Sequence, residues 1–292
     1  MLVPLSWLKD YVDIDVSAEK LQEMLFSSGF EVEELIYLGK DIDRVVTGKI
    51  TSITKHEDSD HLQICKLDCG EKYGRNIQIV TGAQNIFDGA IVPVALDKST
   101  LPNGVKITSG KLRGVESNGM LCSGEELGIT DDWYEGADVY GILILADDTP
   151  IGEDICKIVG LDDYIFDISI TANRPDCQSI VGMAREVAAI LKKEVREPDI
   201  TYTEDESAND DEINITVEAG DICPRYIGHY VKNTTAVKAP QWMRKRLALV
   251  GLNSINALVD ITNFVLMELG QPMHAFDLAD LEGKRIEVRR AK

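Results

Sequence analysis

The chain has 292 residues, 50 acidic and 30 basic side chains, a formal net charge of −20 and a pI near 4.6. With 44% hydrophobic and 27% charged residues the composition is that of a globular protein, which excludes wholesale disorder and collagen-like repeats. The apolar stretches, such as those around 141–146 and, interrupted by Glu268, 264–269, fall far short of the ~20 residues a membrane-spanning helix needs. So large an acidic excess also argues, at the level of bulk charge, against a nucleic-acid partner, because phosphate binding needs Lys and Arg.

The length suits roughly two domains. The N-terminus, Met1-Leu2-Val3-Pro4-Leu5, has no basic stretch and is interrupted at Ser6, so no secretory signal is expected. Six cysteines are scattered with no C-x-x-C, and reduced thiols are the default reading. His56, His61, Cys65 and Cys69 are all possible zinc ligands. Their spacing does not match paired C-x2–4-C and H-x3–5-H ligands, and the apolar neighbours Leu62, Ile64 and Leu67 suit a strand better, so no metal site is expected.

In chain order, Ser6 is placed to cap a short helix over 7–12. Ser17 caps a second helix with Leu21, Met24 and Leu25 on its apolar face, and Gly29 stops it. Residues 30–38 alternate like a strand. From 41 to 150 short β-branched runs alternate with turn residues. Strands are expected over 45–53, 62–67, 77–80, 91–96 and 141–145, which suggests a small OB-like barrel.

Helical periodicity returns after Asn173-Arg174-Pro175-Asp176. Asp176 is the expected cap of a helix burying Cys177, Ile180, Val181, Ala184, Val187, Ala188 and Leu191. The stretch 199–221 holds nine acidic residues and no basic one, and reads as a solvated linker with a strand starting at 213–217. Pro240 fits the first position of a helix to Val250, with Gly251 as its stop. Residues 258–269 read as a buried helix ending at Gly270, and 286–288 as a strand start. The chain ends without visible closure, so a truncated polypeptide is expected.

Walker A, G-x-G-x-x-G, G-x-S-x-G and H-E-x-x-H sequences are all absent. Five stretches stand out instead. His56-Glu57-Asp58-Ser59-Asp60-His61-Leu62 is a polar cluster before a strand, most plainly a solvated turn. Val80-Thr81-Gly82-Ala83-Gln84-Asn85 places two amides beside a glycine; a tight turn is the plain alternative. The 111–123 stretch sets Lys111 and Arg113 near two glycines and several hydroxyls, a mix that suits a phosphate or sugar backbone or, equally, a bulged strand with exposed charges. Asn173 to Cys177 reads as a helix-start turn, with Arg174 or Arg185 alternatively pairing carboxylates between domains. Asp260 to Asn263 and Gly270 to Asp277 form a plausible pocket wall. His274 there suits a polar contact, water placement or base chemistry, or a structural bond to Asp277 or Asp260.

Taken together, these stretches resemble the bacterial phenylalanine–tRNA ligase beta subunit over essentially all 292 residues. The 56–62, 80–85, 92–96 and 111–123 stretches resemble its OB-type tRNA-binding domain, a module shared with some methionine–tRNA ligases and free-standing tRNA-binding proteins. Pro4 to Leu8, Phe166 to Ile168, Asn173 to Cys177 and Ala184 to Ala188 resemble the flanking domain. Asp260 to Asn263 and Glu268 to Asp277 resemble the start of the editing domain. The departures are Glu57-Asp58-Ser59, where the family often has Pro-Asn-Ala, and Gln178, where leucine is common.

The resemblance implies an α+β multidomain fold: a small α/β domain (1–40 plus 151–200), an inserted OB-like β-barrel (41–150), and the truncated beginning of a B3/B4 editing domain (201–292). It implies a part of a cytoplasmic, ATP-dependent aminoacyl-tRNA ligase of protein biosynthesis, an alpha2beta2 heterotetramer whose alpha subunit holds the synthetic site. This chain would then bind tRNA and contribute part of the pocket that hydrolyses Tyr-tRNA. Phenylalanine activation, with its ATP and Mg2+, would lie elsewhere in the enzyme. The editing candidates are His274 and Asn263; the tRNA-binding candidates are Lys111, Arg113, Asn85 and Ser117. The competing class is a non-catalytic tRNA-binding or scaffold module.

The charge is also uneven. Residues 225–292 carry eleven basic and six acidic side chains, against ten and eighteen over 41–150. Local cationic strips therefore remain compatible with RNA contact on an acidic body.

Overall fold

The computed structural model describes residues 1–203 and 213–291. Strand β1 (Leu2–Pro4) runs straight into a single helical turn, α1 (Leu5–Leu8). The helix expected over 7–12 with Ser6 as its cap does not form. Ser6 instead donates its backbone N–H and its hydroxyl to the two oxygens of Asp163, at 3.0 and 2.5 Å. With Ser6 engaged across the fold, the helix starts two residues earlier, after Pro4. Burial raises the Asp163 carboxyl above its ordinary range, against those hydrogen bonds.

Helix α2 (Ala18–Ser27) follows the sequence closely. The Ser17 side chain accepts from the Lys20 N–H, Leu21 and Leu25 are buried, and Gly29 leaves the helix at φ 90°. Strand β2 (Glu31–Tyr37) then sits beside a strand from far along the chain. In this three-stranded antiparallel sheet, order β1-β11-β2, β11 (Tyr164–Ser169) lies in the centre. Everything between β2 and β11 is therefore inserted into one small sheet.

The insertion is a curled antiparallel sheet. It contains β3 (Asp43–Lys55), β4 (Gln63–Asp68), the one-turn helix α3 (Gly70–Tyr73), β5 (Ile77–Thr81), β6 (Ile91–Leu101), β7 (Val105–Ile107), the hairpin β8–β9 (Gly110–Leu112, Val115–Ser117) and β10 (Gly119–Leu121). The strand order is β10-β6-β3-β4-β5, with β7 on β6. Register shifts in β3 at Asp43/Val45 and Ile50/Ser52 bend the sheet. The curl brings β5 back towards the far edge, where the Asn118 N–H bonds Gln78 O at 2.8 Å.

Six successive residues of β6, 91–96, are buried because this strand separates two apolar layers. One holds Val46, Ile50, Cys65, Leu67 and Val94; the other holds Val45, Ala95, Leu127, Leu143 and Leu145. The strand expected over 141–145 is not a strand. The Asn85 amide binds both the C=O and the N–H of Ile142, at 2.8 and 3.0 Å, consuming the groups a ladder would need. Only an isolated bridge between Leu145 and Ile91 remains. Of the four short strands over 105–121, β7 was not expected, while β8 to β10 fall on the 111–123 stretch for which a bulged strand is one of the two readings.

Helix α4 (Ile155–Val159) is capped by Asp154 and leads back to β11. Helix α5 (Ile180–Leu191) buries Ile180, Val181, Ala184, Val187 and Ala188 as expected. Its cap, however, is Ser179, which accepts from Gly182 N at 3.0 Å, not Asp176. Asp176 is engaged by Arg174 at 2.8 Å, and residues 175–177 form a separate 3-10 turn that contains Cys177. Arg174 also reaches Glu186 at 2.6 Å, and Arg185 reaches Glu197 at 3.5 Å. These pairs link neighbouring segments rather than bridging distant ones.

Within the acidic stretch 199–221, residues 204–212 lie outside the described residues. Strand β12 (Asn214–Val217) pairs in parallel with β13 (Arg285–Val288). Between them, α6 (Gln241–Leu249) starts one residue later than expected, with Pro240 as its N-cap, and Gly251 follows at φ 80°. Helix α7 (Ala257–Leu269) is capped by Asn256 and closed by Gly270 at φ 75°. It is not the buried helix its composition suggests: Asp260 and Phe264 are buried, but Ile261, Leu266 and Leu269 are exposed.

Met243, Leu247, Val250 and Phe264 join the same apolar cluster as Trp7, Leu8 and Leu21. Phe264 stacks on Trp7 with ring centroids 5.1 Å apart and meets Trp242 edge-on at 5.4 Å. A polar joint ties α6 to the insertion. Buried Arg244 donates to Ala239 O at 3.1 Å, to Asp131 O at 2.6 Å and to the Asp132 carboxylate at 3.3 Å. Lys238 pairs with Asp131 at 3.0 Å on its outer side.

A candidate nucleic-acid interface at one end of the curled sheet

Three of the five stretches singled out in the sequence converge at one end of the curled sheet. The 56–62 turn joins β3 to β4 and is closed by the His56 N–H on Leu62 O at 3.1 Å. The Gln84 side chain donates to His61 O at 3.1 Å, and Gln63 donates to Ala83 O at 3.1 Å, so the 80–85 turn packs beside it. The β8–β9 hairpin completes the group. Its Arg113 donates to Asp58 O at 3.0 Å, and His56 Nε2 meets Leu112 O at 3.2 Å.

Leu112 pairs with Val115, so Arg113-Gly114 is a two-residue hairpin loop. Both residues have positive φ, 45° and 86°, as a type I′ turn requires. Glycine or asparagine is usual at the first position; an arginine there carries about 1 kcal/mol of backbone strain. The hydrogen bond to Asp58 offsets part of it.

The four candidates for tRNA contact separate into two kinds. Lys111 and Arg113 are exposed on the hairpin. Ser117 is buried: its hydroxyl accepts from Val80 N at 3.1 Å and donates to Gly119 O at 3.1 Å. Asn85 spends its amide on Ile142. Ser117 and Asn85 therefore hold the sheet and its neighbouring loop in shape, a duty invisible in sequence because both partners are backbone groups distant along the chain.

Electrostatically the surface is mixed. Lys111 and Arg113 are exposed, as are Glu57, Asp58, Asp60 and Glu116, and Lys111 stands opposite Glu116 in register. Such a strip favours local, salt-sensitive contact over general capture of polyanions. The residue that sequence reading undervalued is His56. Read there as part of a solvated turn, it is 3% exposed and joins the turn to the hairpin.

Cys65 and Cys69, in the middle of β4 and just past its far end, are buried in the core, and burial pushes their thiols up to about 11 and about 12. At neutral pH they are protonated packing groups. Among the described residues, the one cluster with metal-ligand spacing is Asp176, Cys177 and Glu186. Arg174 already neutralises both carboxylates there, and burial raises the Cys177 thiol to about 11.

The second candidate region is open. His274 is exposed, its ring 6.3 Å from that of Phe276, and Asn263 is half-buried on α7. Asp260 accepts from the Ser254 hydroxyl and Ile255 N, at 2.6 and 2.9 Å, and Asp277 accepts from Ala279 N at 2.9 Å. Both carboxylates thus brace local backbone, and the structural pairing with His274 is not formed.

Comparison with known proteins fits this geometry. Residues 45–154 match the putative tRNA binding domain family, and residues 222–292 match the B3/4 domain family. The whole chain is 50% identical to the phenylalanine–tRNA ligase beta subunit of Clostridium acetobutylicum, 46% to that of Clostridium tetani and 44% to that of Fusobacterium nucleatum. It spans 36% of the length of each of these relatives. On full-length identity of this degree, together with two matched domain families, the chain belongs to the phenylalanine–tRNA ligase beta-subunit family.

Proposed function

We propose that this chain serves in an ATP-dependent phenylalanine–tRNA ligase by holding tRNA and by forming one part of a pocket that hydrolyses mischarged Tyr-tRNA. The observation that carries the reading is the sequence match over the entire chain, with a tRNA-binding family over 45–154. An OB-like barrel is the finer reading of the curled sheet, and the units 1–40 plus 151–200, 41–150 and 201–292 are the proposed domains. The proposed tRNA contacts are Lys111 and Arg113, which are exposed on a hairpin braced by the 56–62 turn.

Editing addresses a physical limit. A hydrophobic pocket that accepts phenylalanine rejects the same ligand plus one hydroxyl by only about 10²-fold. A second site that reads the hydroxyl with a polar group can remove the error. His274 and Asn263 are the proposed polar groups, by their position in the matched B3/4 region. His274 would contact the tRNA 3′ end or orient the attacking water.

Synthesis is assigned to an alpha-subunit partner in a cytoplasmic alpha2beta2 assembly. The acidic cluster at Asp176 and Glu186 does not suit Mg2+, because Arg174 occupies both carboxylates. No step of phenylalanine activation is derived from this chain.

The test is a filter-binding titration of the chain with tRNA at two salt concentrations. A Lys111→Ala/Arg113→Ala double variant is expected to bind more weakly, with a flatter dependence on salt. Unchanged affinity would remove this end from tRNA binding. In the assembled ligase, His274→Ala is expected to slow Tyr-tRNA hydrolysis and spare phenylalanine activation; normal hydrolysis would remove His274. Amino-acid-dependent ATP–pyrophosphate exchange by the chain alone would contradict the assignment of synthesis to the partner.

A further inference from the structure

We propose that His56 is a positioning residue for RNA contact: its neutral ring fixes the β8–β9 hairpin against the 56–62 turn, so that Lys111 and Arg113 face a phosphate backbone as one strip. The inference rests on the reading of this end as a tRNA interface. It assigns a role to a residue that touches no RNA itself.

The ring geometry is specific. His56 Nδ1 accepts from the Asp58 N–H at 3.1 Å, so Nδ1 carries no proton. The proton is then on Nε2, which donates to Leu112 O at 3.2 Å. Both ring nitrogens are used, the residue is 3% exposed, and the tautomer follows from its partners. Arg113 closes the circuit by donating to Asp58 O at 3.0 Å. The Asp58 residue is thus gripped at its N–H by the imidazole and at its C=O by the guanidinium that the same imidazole helps to place.

The hairpin needs that grip. Its strands have three residues each, and an isolated hairpin of this size is marginal in water. Strand β9 is tied to the sheet by Ser117 on Val80 N at 3.1 Å and by Gln78 on Glu116 O at 2.7 Å. Strand β8, which carries Lys111, is fully exposed, and His56 holds it at Leu112. A lysine opposite a glutamate on a loose strand would spend its charge on solvent and on that neighbour. Fixed in place, Lys111 and the turn residue Arg113 present two cations at a constant spacing. Fixed donors lose less entropy on binding than mobile ones.

The two ring nitrogens can be tested separately. Glutamine places an amide near Nε2 and preserves the link to Leu112. Asparagine places an oxygen near Nδ1 and preserves only the link within the turn. tRNA affinity is measured at 50 and 200 mM salt for the wild type, His56→Gln, His56→Asn, His56→Ala and the Lys111→Ala/Arg113→Ala variant. The expectation for His56→Asn and His56→Ala is about a tenfold loss at low salt. Their salt slope should flatten by about 0.7–0.9 for each phosphate that is no longer neutralised. His56→Gln should bind within about threefold of wild type.

Hydrogen exchange in β3 and β4 reports whether the sheet is intact. If His56→Ala does not fold, the contrast between Gln and Asn still decides. Binding by His56→Asn equal to wild type, or a His56→Gln variant as weak as His56→Asn, overturns the inference while the tRNA interface stands. If the Lys111/Arg113 variant itself binds as wild type, the interface reading fails and the inference with it.

Discussion

Arg244→Ala tests how the insertion is fixed to the helices that follow it. The Arg244 side chain is 4% exposed and its partner Asp132 is 26% exposed, so the pair is largely desolvated. Its truncation removes the Arg244 donors from Ala239 O, Asp131 O and the Asp132 carboxylate, leaving Gln241 Nε2 on Asp131 O and the Ser254 N–H on Asp132. Breaking a buried pair costs about 3–5 kcal/mol, and the partial exposure of Asp132 places this case at the lower end, about 3 kcal/mol. At about 1.4 kcal/mol per decade, that is roughly a hundredfold rise in local opening.

The assay is amide hydrogen exchange at Gly136 and Asp138, whose N–H groups bond the Asp131 carboxylate at 3.0 and 3.2 Å. Exchange should accelerate about a hundredfold at both amides, with little change in β3 and β4. Acceleration of less than about threefold would show that the joint carries no net free energy and would refute this account of how the insertion is held.

Three further outcomes follow from the packing. Gly182→Ala should lower stability by more than about 2 kcal/mol in a urea titration, because a Cβ there would lie 1.8 Å from Asp176 O. A variant as stable as wild type would contradict that contact. Ser117→Ala leaves the buried Val80 N–H without its acceptor and should cost about 1–3 kcal/mol. A Ser117→Ala variant as stable as wild type would contradict that bond. Arg174 hydrogen-bonds Asp176 and lowers its carboxyl from 3.8 to about 2. A depressed carboxyl contributes stability above its unfolded value that is lost as pH falls from about 3.8 through about 2. Asp176→Asn should therefore flatten stability over that window, and an unaltered acid limb would rule the pair out as a contributor.

Local chemistry and tertiary structure divided the information unevenly. Ser17, Gly29, Asn256 and Gly270 mark helix ends through bonds or dihedral freedom confined to one turn, and α2, α5 and α7 lie close to where periodicity put them. Family-specific residue order carried the tRNA-binding and editing assignments. Composition did not, since the insertion is acidic and still matches a tRNA-binding family.

Other features were set by groups far apart in sequence. Ser6 left its expected cap for Asp163. Asn85 dissolved the expected strand at 141–145 by taking the backbone of Ile142. The same distinction sorts the candidate site. Lys111, Arg113, Asn85 and Ser117 look alike as polar residues near turns, but only folding shows which of them have already found partners. Where a cap or a glycine stop bonds or turns only within its own helix end, as at Ser17 and Gly270, the sequence alone determines it. Whether a polar side chain is spent inside the protein or remains free for a ligand depends on which distant backbone groups burial brings beside it, and only the tertiary structure decides that.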